Sequence, residues 1–273
     1  SGTVNVRLEA FRILNRLFRG ERIFPDKLYS SSIQTSELST VDRSLLVHLV
    51  RGVVKCQTHL QNMASVYLKK LNRLPQKVQI ILYLGLFQLA LDSRSPDYAI
   101  VSETVELARH VDALPWIKLI NAVLRRASND RLQWEKEAIN WVMDLPQWLG
   151  SYWNKFLTSD EMNFLQKSLL QSPILYLRVN PLKIDVQRLK DLFLTRYSFT
   201  LNSIPILPEV LVSNADYTQL VETVEYQNGF FSILDLSSQL MVYLLSPLPG
   251  EKSVDIGCGS GGKAIMMAQM MKN

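Results

Sequence analysis

Towards its end the sequence runs Val254-Asp255-Ile256-Gly257-Cys258-Gly259-Ser260-Gly261-Gly262-Lys263, then Ala264-Ile265-Met266-Met267-Ala268-Gln269. An apolar residue and an acid, four glycines in six positions and an Ala/Met-rich run read as strand, tight loop and helix, the opening βα turn of a nucleotide-type fold. Glycine gives the backbone access to positive φ and lets a ligand approach the main chain. The new helix points its unpaired N–H groups at the same spot, so a ligand is expected there.

Three chemistries compete for this loop. Gly257, Gly259 and Gly262 match G-x-G-x-x-G, but the dinucleotide fingerprint needs an acid about 20 residues on, and the sequence given ends at Asn273. Gly257 through Lys263 also satisfies the start of the phosphate-binding G-x-x-x-x-G-K-[ST], yet Ala264 stands where a hydroxyl should hold Mg²⁺. The third reading is S-adenosylmethionine, with Asp255 acting through its charge and acceptor oxygens on the cationic end of that molecule. On the loop alone this third reading only ranks first.

The rest of the sequence limits the setting. At 273 residues, 47% of them hydrophobic, it can bury a large core and divide into two domains. A net charge of +5 and a pI near 9.1 favour a polyanionic partner without requiring one. Cys56 and Cys258 are the only cysteines, far apart, so no disulfide framework or cysteine-rich metal site is expected, and a reducing cytoplasm fits. No signal peptide is expected, because the first residues carry charges throughout. The longest apolar run, Val78 to Leu91, is too short for a bilayer and reads as a buried helix, so no membrane segment is expected.

Residues 4 to 129 read as all-helical. Leu8, Phe11, Leu14, Leu17 and Phe18 follow helical spacing, a Ser-rich connection comes next, and Ser39 with Asp42 opens a helix whose apolar face is Leu45, Leu46, Leu49, Val50 and Val53. Arg43, Arg51 and Lys55 project near the opposite side, either as a solvated face or as phosphate contacts. Pro75 starts the central apolar helix, Pro115 breaks the pattern, and Ile117 to Arg126 closes it with a basic end. His48, His59 and His110 lack partners at ligand spacing, so no metal site is expected. Trp134, Trp141, Trp148 and Trp153 are read as pinning a helical linker to its neighbours rather than stacking bases. At Leu175-Tyr176-Leu177-Arg178-Val179-Asn180-Pro181 the period becomes alternating, and a strand, a helix over 186–194 and short strands near 199–201 and 210–212 make a small α+β unit.

Several of these strings resemble one family. Ala99-Ile100-Val101-Ser102-Glu103-Thr104-Val105-Glu106-Leu107-Ala108 and Ile120-Asn121-Ala122-Val123-Leu124-Arg125-Arg126 resemble a NusB-type RNA-binding domain. Leu145-Pro146-Gln147-Trp148-Leu149, the L-R-V-N-P-L-K string at 177–183 and Gly229 to Leu240 resemble the Sun (RsmB) family of bacterial ribosomal RNA cytosine carbon-5 methyltransferases, over nearly the whole chain. The loop departs from the family's D-x-C-A-A-P-G-G-K-T: Gly257-Cys258-Gly259-Ser260 replaces C-A-A-P and Ala264 replaces Thr, while Asp255, Gly261, Gly262 and Lys263 still fit.

The resemblance implies a multidomain chain. A NusB-like bundle spans 3–129, a helical linker 130–172, a small α+β (RRM-like) subdomain 173–228 and the incomplete start of a Rossmann-like α/β methyltransferase domain 229–273. It implies S-adenosylmethionine on Asp255, Gly257, Gly259, Gly261, Gly262 and Lys263, and small-subunit ribosomal RNA on Arg43, Arg51, Lys55, Arg178 and Asn180. Without it, Arg178 pairs with an acid and Asn180 caps the turn before Pro181. Methylating cytosine carbon 5 needs a thiolate that adds to carbon 6 and a second base that removes the carbon-5 proton. The family carries two cysteines for these steps downstream of the loop, so neither Cys56 nor Cys258 is assigned to catalysis. The sequence then reads as the front two-thirds of a methyltransferase, expected to bind RNA without turnover and, through uncovered Met266, Met267, Met270 and Met271, to self-associate. A non-catalytic NusB-type RNA-binding or protein-contact factor is the alternative.

Overall fold

A computed structural model describes residues 5–21, 38–92 and 95–272. The Ser-rich connection expected before Ser39 lies outside them. The chain divides into two compact units, Ser1–Ser172 and Pro173–Asn273.

The first unit is helical. Its elements are α1 (Val6–Phe18), α2 (Thr40–Lys55), α3 (Gln57–Tyr67), α4 (Gln76–Leu91), α5 (Asp97–His110), α6 (Ile117–Asn129), α7 (Arg131–Ala138), α8 (Gln147–Trp153) and α9 (Ser159–Leu170). Local chemistry sets their starts: the Asn5 side chain accepts from the backbone N–H of Arg7, and Ser39 Oγ accepts from that of Asp42 at 3.2 Å. Pro115 falls in a short 3₁₀ turn, Leu114–Trp116, before α6. α4 is the axis of the bundle, because apolar residues all round it bury 12 of its 16 positions and α1, α2, α3, α5, α6 and α7 all pack on it.

The tryptophans divide. Trp134 donates from Nε1 to the Tyr67 hydroxyl at 2.7 Å, and Trp141 stacks on the His59 ring with centroids 5.0 Å apart, so both pin the linker as expected. Trp148, in contrast, is 71% exposed on α8.

The second unit follows a β-α-β-β-α-β course. Its elements are β1 (Tyr176–Val179), α10 (Val186–Tyr197), β2 (Leu201–Ser203), β3 (Val210–Ser213), the short helices α11 (Tyr217–Val221) and α12 (Val224–Gln227), and β4 (Phe231–Ile233). The strands pair antiparallel in the order β2-β3-β1-β4. Leu177, Val179, Leu211 and Phe231 bury one face against Leu189 and Phe193 of α10. Arg178 sits between two of these positions, so strand alternation sends it to the other face with its register partners Val210 and Ser232. The sheet thus takes its last strand from beyond residue 228, where the sequence reading ends the subdomain.

After β4 come α13 (Leu236–Leu245) and α14 (Gly262–Met270). Two expectations are corrected here. Residues 254–256, read as a strand, form none: Val254 is 84% and Ile256 94% exposed, and no strand among the described residues runs beside them to pair their backbone. The methionines expected to be uncovered are largely inside, with Met266, Met267 and Met271 buried with Val242 of α13 and Met270 packed on the cluster, so the stated basis for self-association is absent. α13 supplies the apolar surface that the missing sheet was expected to supply.

Candidate cofactor loop and nucleic-acid interface

The glycine loop is built by positive-φ backbone. Gly257, Gly259 and Gly261 have φ of +79°, +57° and +83°, a region that L side chains adopt only with strain. The Gly261 N–H donates to the Cys258 carbonyl at 2.9 Å, closing the loop, and α14 starts at once. Gly262 is needed for a different reason: a Cβ there would lie 2.9 Å from Leu234 Cδ1, so its lack of a side chain lets the helix start settle against the segment leaving β4. The cap position of α14 is Gly261, and no side chain caps it. The first N–H groups of α14 therefore remain available to an acceptor, with the positive end of the helix dipole behind them.

Asp255 is half-buried just before the loop, and its Oδ2 is buried without a hydrogen-bond partner among the described residues. Lys263 and residues 257–260 are exposed. An orphaned carboxylate oxygen beside an uncapped helix start fits a ligand carrying both a cationic and an acceptor group, as S-adenosylmethionine does. Cys258 is exposed in the loop, whereas Cys56 is buried in the bundle and burial, above all, pushes its thiol up to about 12.

Of the five residues expected at RNA, three share one helix of the first unit, where Arg51 and Lys55 are neighbours, and two lie at β1 of the second. In the bundle, Arg51 is exposed and Arg43 half-buried on α2. The Lys55 ammonium donates to the Leu169 carbonyl at 2.8 Å, and burial, then the neighbouring Arg51 charge, lowers its pKa. Lys55 thus ties α2 to α9 as much as it offers charge. The sequence reading passed over the exposed cations Lys69, Lys70 and Arg73 around a 3₁₀ turn, although their clustering beside Asn72 and Pro75 is legible as a basic turn.

The two candidates of the second unit are placed differently from the expectation. Arg178 is only 5% exposed, with its guanidinium carbon 5.8 Å from the centroid of the Tyr243 ring of α13, and its Nε has no hydrogen-bond partner among the described residues. In an RNA-recognition sheet the corresponding open face stacks bases; here Tyr243 lies over it, so Arg178 offers no surface to RNA. Asn180 spends both ends of its amide on the turn, accepting from the Leu182 N–H at 3.1 Å and donating to the Gly229 carbonyl at 3.0 Å. The bond from Leu182 is the turn cap expected of Asn180 in the alternative reading, whereas the Gly229 acceptor and the Tyr243 ring lie about 50 or more positions away and are not legible from spacing.

A helical bundle followed by a small β-α-β-β-α-β unit and a glycine loop defines a modular α and α+β protein. Residues 4–129 match the NusB family. The chain is 26% identical over 275 residues to the probable ribosomal RNA small subunit methyltransferase B of Synechocystis sp., covering 98% of this chain and 61% of the relative. It is 27% identical to the protein of the same description from Bacillus subtilis, over 92% of this chain and 57% of that one. Residues 4–129 are thus similar to a NusB domain, and the chain is similar to proteins described as ribosomal RNA small subunit methyltransferase B, of which it spans about three-fifths of the length. Its fold is similar to the crystal structure of PH0851, with a TM-score of 0.61 and 17% identity, covering 99% of this chain and 61% of that one.

Proposed function

We propose that the chain is the RNA-gripping and cofactor-loop portion of a ribosomal RNA (cytosine carbon-5) methyltransferase that uses S-adenosylmethionine and works in the cytoplasm. The observation that carries this is a NusB-family bundle in the same chain as a glycine loop whose helix start is uncapped and whose preceding carboxylate, Asp255, lacks a partner. Residues 254–270 are then the first βα unit of a Rossmann-like domain, in which the run 254–256 becomes a strand when neighbouring strands pair it. Finer domain limits at 129, 172 and 228 belong to the same proposal.

S-adenosylmethionine, when bound, supplies an electrophilic methyl group. Towards it, Asp255 offers a negative charge and a free acceptor, the α14 N–H groups at Gly262 and Lys263 offer donors, and the side-chain-free Gly257 and Gly259 let it approach the main chain. The bundle holds the RNA through cations, with Arg43, Arg51 and Lys55 of α2 as phosphate contacts. Arg178 is withdrawn from that set because it is buried. Neither cysteine is assigned the attacking thiolate, since Cys56 is enclosed and its thiol held protonated.

The test is a salt series of binding to small-subunit ribosomal RNA fragments, with radiolabelled S-adenosylmethionine in the same tubes. The expected result is RNA affinity that falls linearly on logarithmic axes as salt rises, label bound but not transferred by the 273 residues, and loss of bound label with D255N. RNA binding without any cofactor binding would favour a non-catalytic NusB-type factor. Absence of RNA binding at every salt concentration would overturn the RNA assignment.

A further inference from the structure

Arg178 is a buried cation on the face of the sheet turned away from α10. A charge withdrawn from water is destabilised unless something replaces the lost solvation. The Arg178 Nε has no hydrogen-bond partner among the described residues, and the Tyr243 ring lies 5.8 Å from the guanidinium carbon, with the Glu209 carboxylate acting on the same tyrosine. That distance lies within the range of a cation–π contact, which gains strength when desolvated. Tyr243 has a second set of neighbours, for it packs on the cluster formed by Val242 of α13 with Met266 and Met267 of α14. α14 begins at Gly262, the end of the glycine loop.

The central strand of the sheet is thus linked to the loop's helix through Tyr243: Arg178 faces its ring, and Tyr243 packs on the cluster that holds Met266, Met267 and Met271. The other connection runs through the backbone, from β4 to Leu234, whose side chain fills the space left by Gly262. We propose that Arg178 is a positioning residue for the cofactor loop, its contact with Tyr243 fixing where α13 and α14 seat and hence the aim of the α14 N–H groups. The inference rests on the proposed cofactor reading for its consequence in binding, and on packing alone for its consequence in geometry.

The experiment therefore has two readouts on the whole chain: methyl spectra of Met266, Met267 and Met271 by NMR, and the dissociation constant for S-adenosylmethionine. R178M removes the charge and keeps most of the volume; it is expected to shift all three methyls and weaken binding roughly five- to thirtyfold, the span of a desolvated cation–π contact. R178K keeps a cation without the planar guanidinium and should fall between R178M and wild type in both readouts. Y243L should match R178M, and combining the two should cost no more than either alone, because each removes the same contact. Y243F keeps the ring and should leave both readouts unchanged.

Folded R178M with unmoved methyls and wild-type affinity would overturn the proposal, as would a double variant whose loss is the product of the single losses. If R178M does not fold, Y243L decides: shifted methyls with weakened binding support the contact, and a spectrum and affinity superposable on wild type overturn it. A wild-type chain that binds no S-adenosylmethionine counts against the function proposed above, while the methyl shifts still judge the contact itself.

Discussion

Two thiols in one chain are placed for opposite behaviour. Cys56 ends α2 with no solvent exposure, and burial first, then the Asp144 carboxylate, raises its pKa to about 12. Cys258 lies exposed in the loop. Since only thiolate reacts, a thiol reagent at pH 8 should modify Cys258 promptly and Cys56 only after unfolding, which mass spectrometry of the peptides would show. A fast second equivalent on the folded chain would contradict the buried placement. The raised pKa also carries a sign for stability. Below the unfolded-state pKa of roughly 8.5 the thiol is protonated in both states and contributes no pH dependence. Above it the unfolded chain loses the proton first, so the Cys56 contribution is lost progressively as pH rises towards 12. C56A should flatten that alkaline decline in a urea-denaturation series.

At the scale of elements, helices were legible and the nucleotide-type strand was not. α4 could be read from sequence because its pattern, apolar on every side, is carried within Gln76–Leu91 and needs only that something surround it. The run 254–256 has equally apolar letters, but a strand exists only through a partner, and none among the described residues supplies one. The candidate site was legible to the same degree. Gly257, Gly259 and Gly261 take the positive φ that their residue type suggests, while the burial of Arg178 depended on Tyr243, 65 positions later, crossing the sheet face. Helix contact also sets a test. In α2, a Cβ on Gly52 would stand 2.0 Å from Phe87 Cζ of α4, so the absence of a side chain sets how closely the two helices approach. Alanine gains about 1 kcal/mol of helix propensity there, yet overpacking costs about 1–3 kcal/mol and more when a ring must leave its site. G52A should therefore lower the urea midpoint of the helical unit, and a midpoint at or above wild type would show that Phe87 swings aside without cost.

For the whole molecule, the division of the core matters more than the length of the chain. One cluster of buried apolar residues runs from Val6 to Trp141, and the others lie between Leu177 and Met271, so each compact unit holds its own core. A unit that keeps its apolar contacts to itself can fold alone. The segment 1–172 should therefore give a helical circular dichroism spectrum and one cooperative unfolding transition without residues 173–273. If the bundle is the RNA grip, the same segment should also keep the salt dependence of RNA binding. The slope of log affinity against log salt counts the phosphates neutralised, roughly 0.7 to 0.9 per contact. Because Arg178 is buried and Asn180 is engaged in its turn, removing the second unit should change that slope by no more than about one contact. R51A and K55A within the segment should each reduce it by up to about one, with the smaller change at Lys55, whose ammonium is partly committed to the Leu169 carbonyl. A slope that collapses when residues 173–273 are removed would move the grip to the second unit. It would do so through surfaces other than Arg178, which is buried.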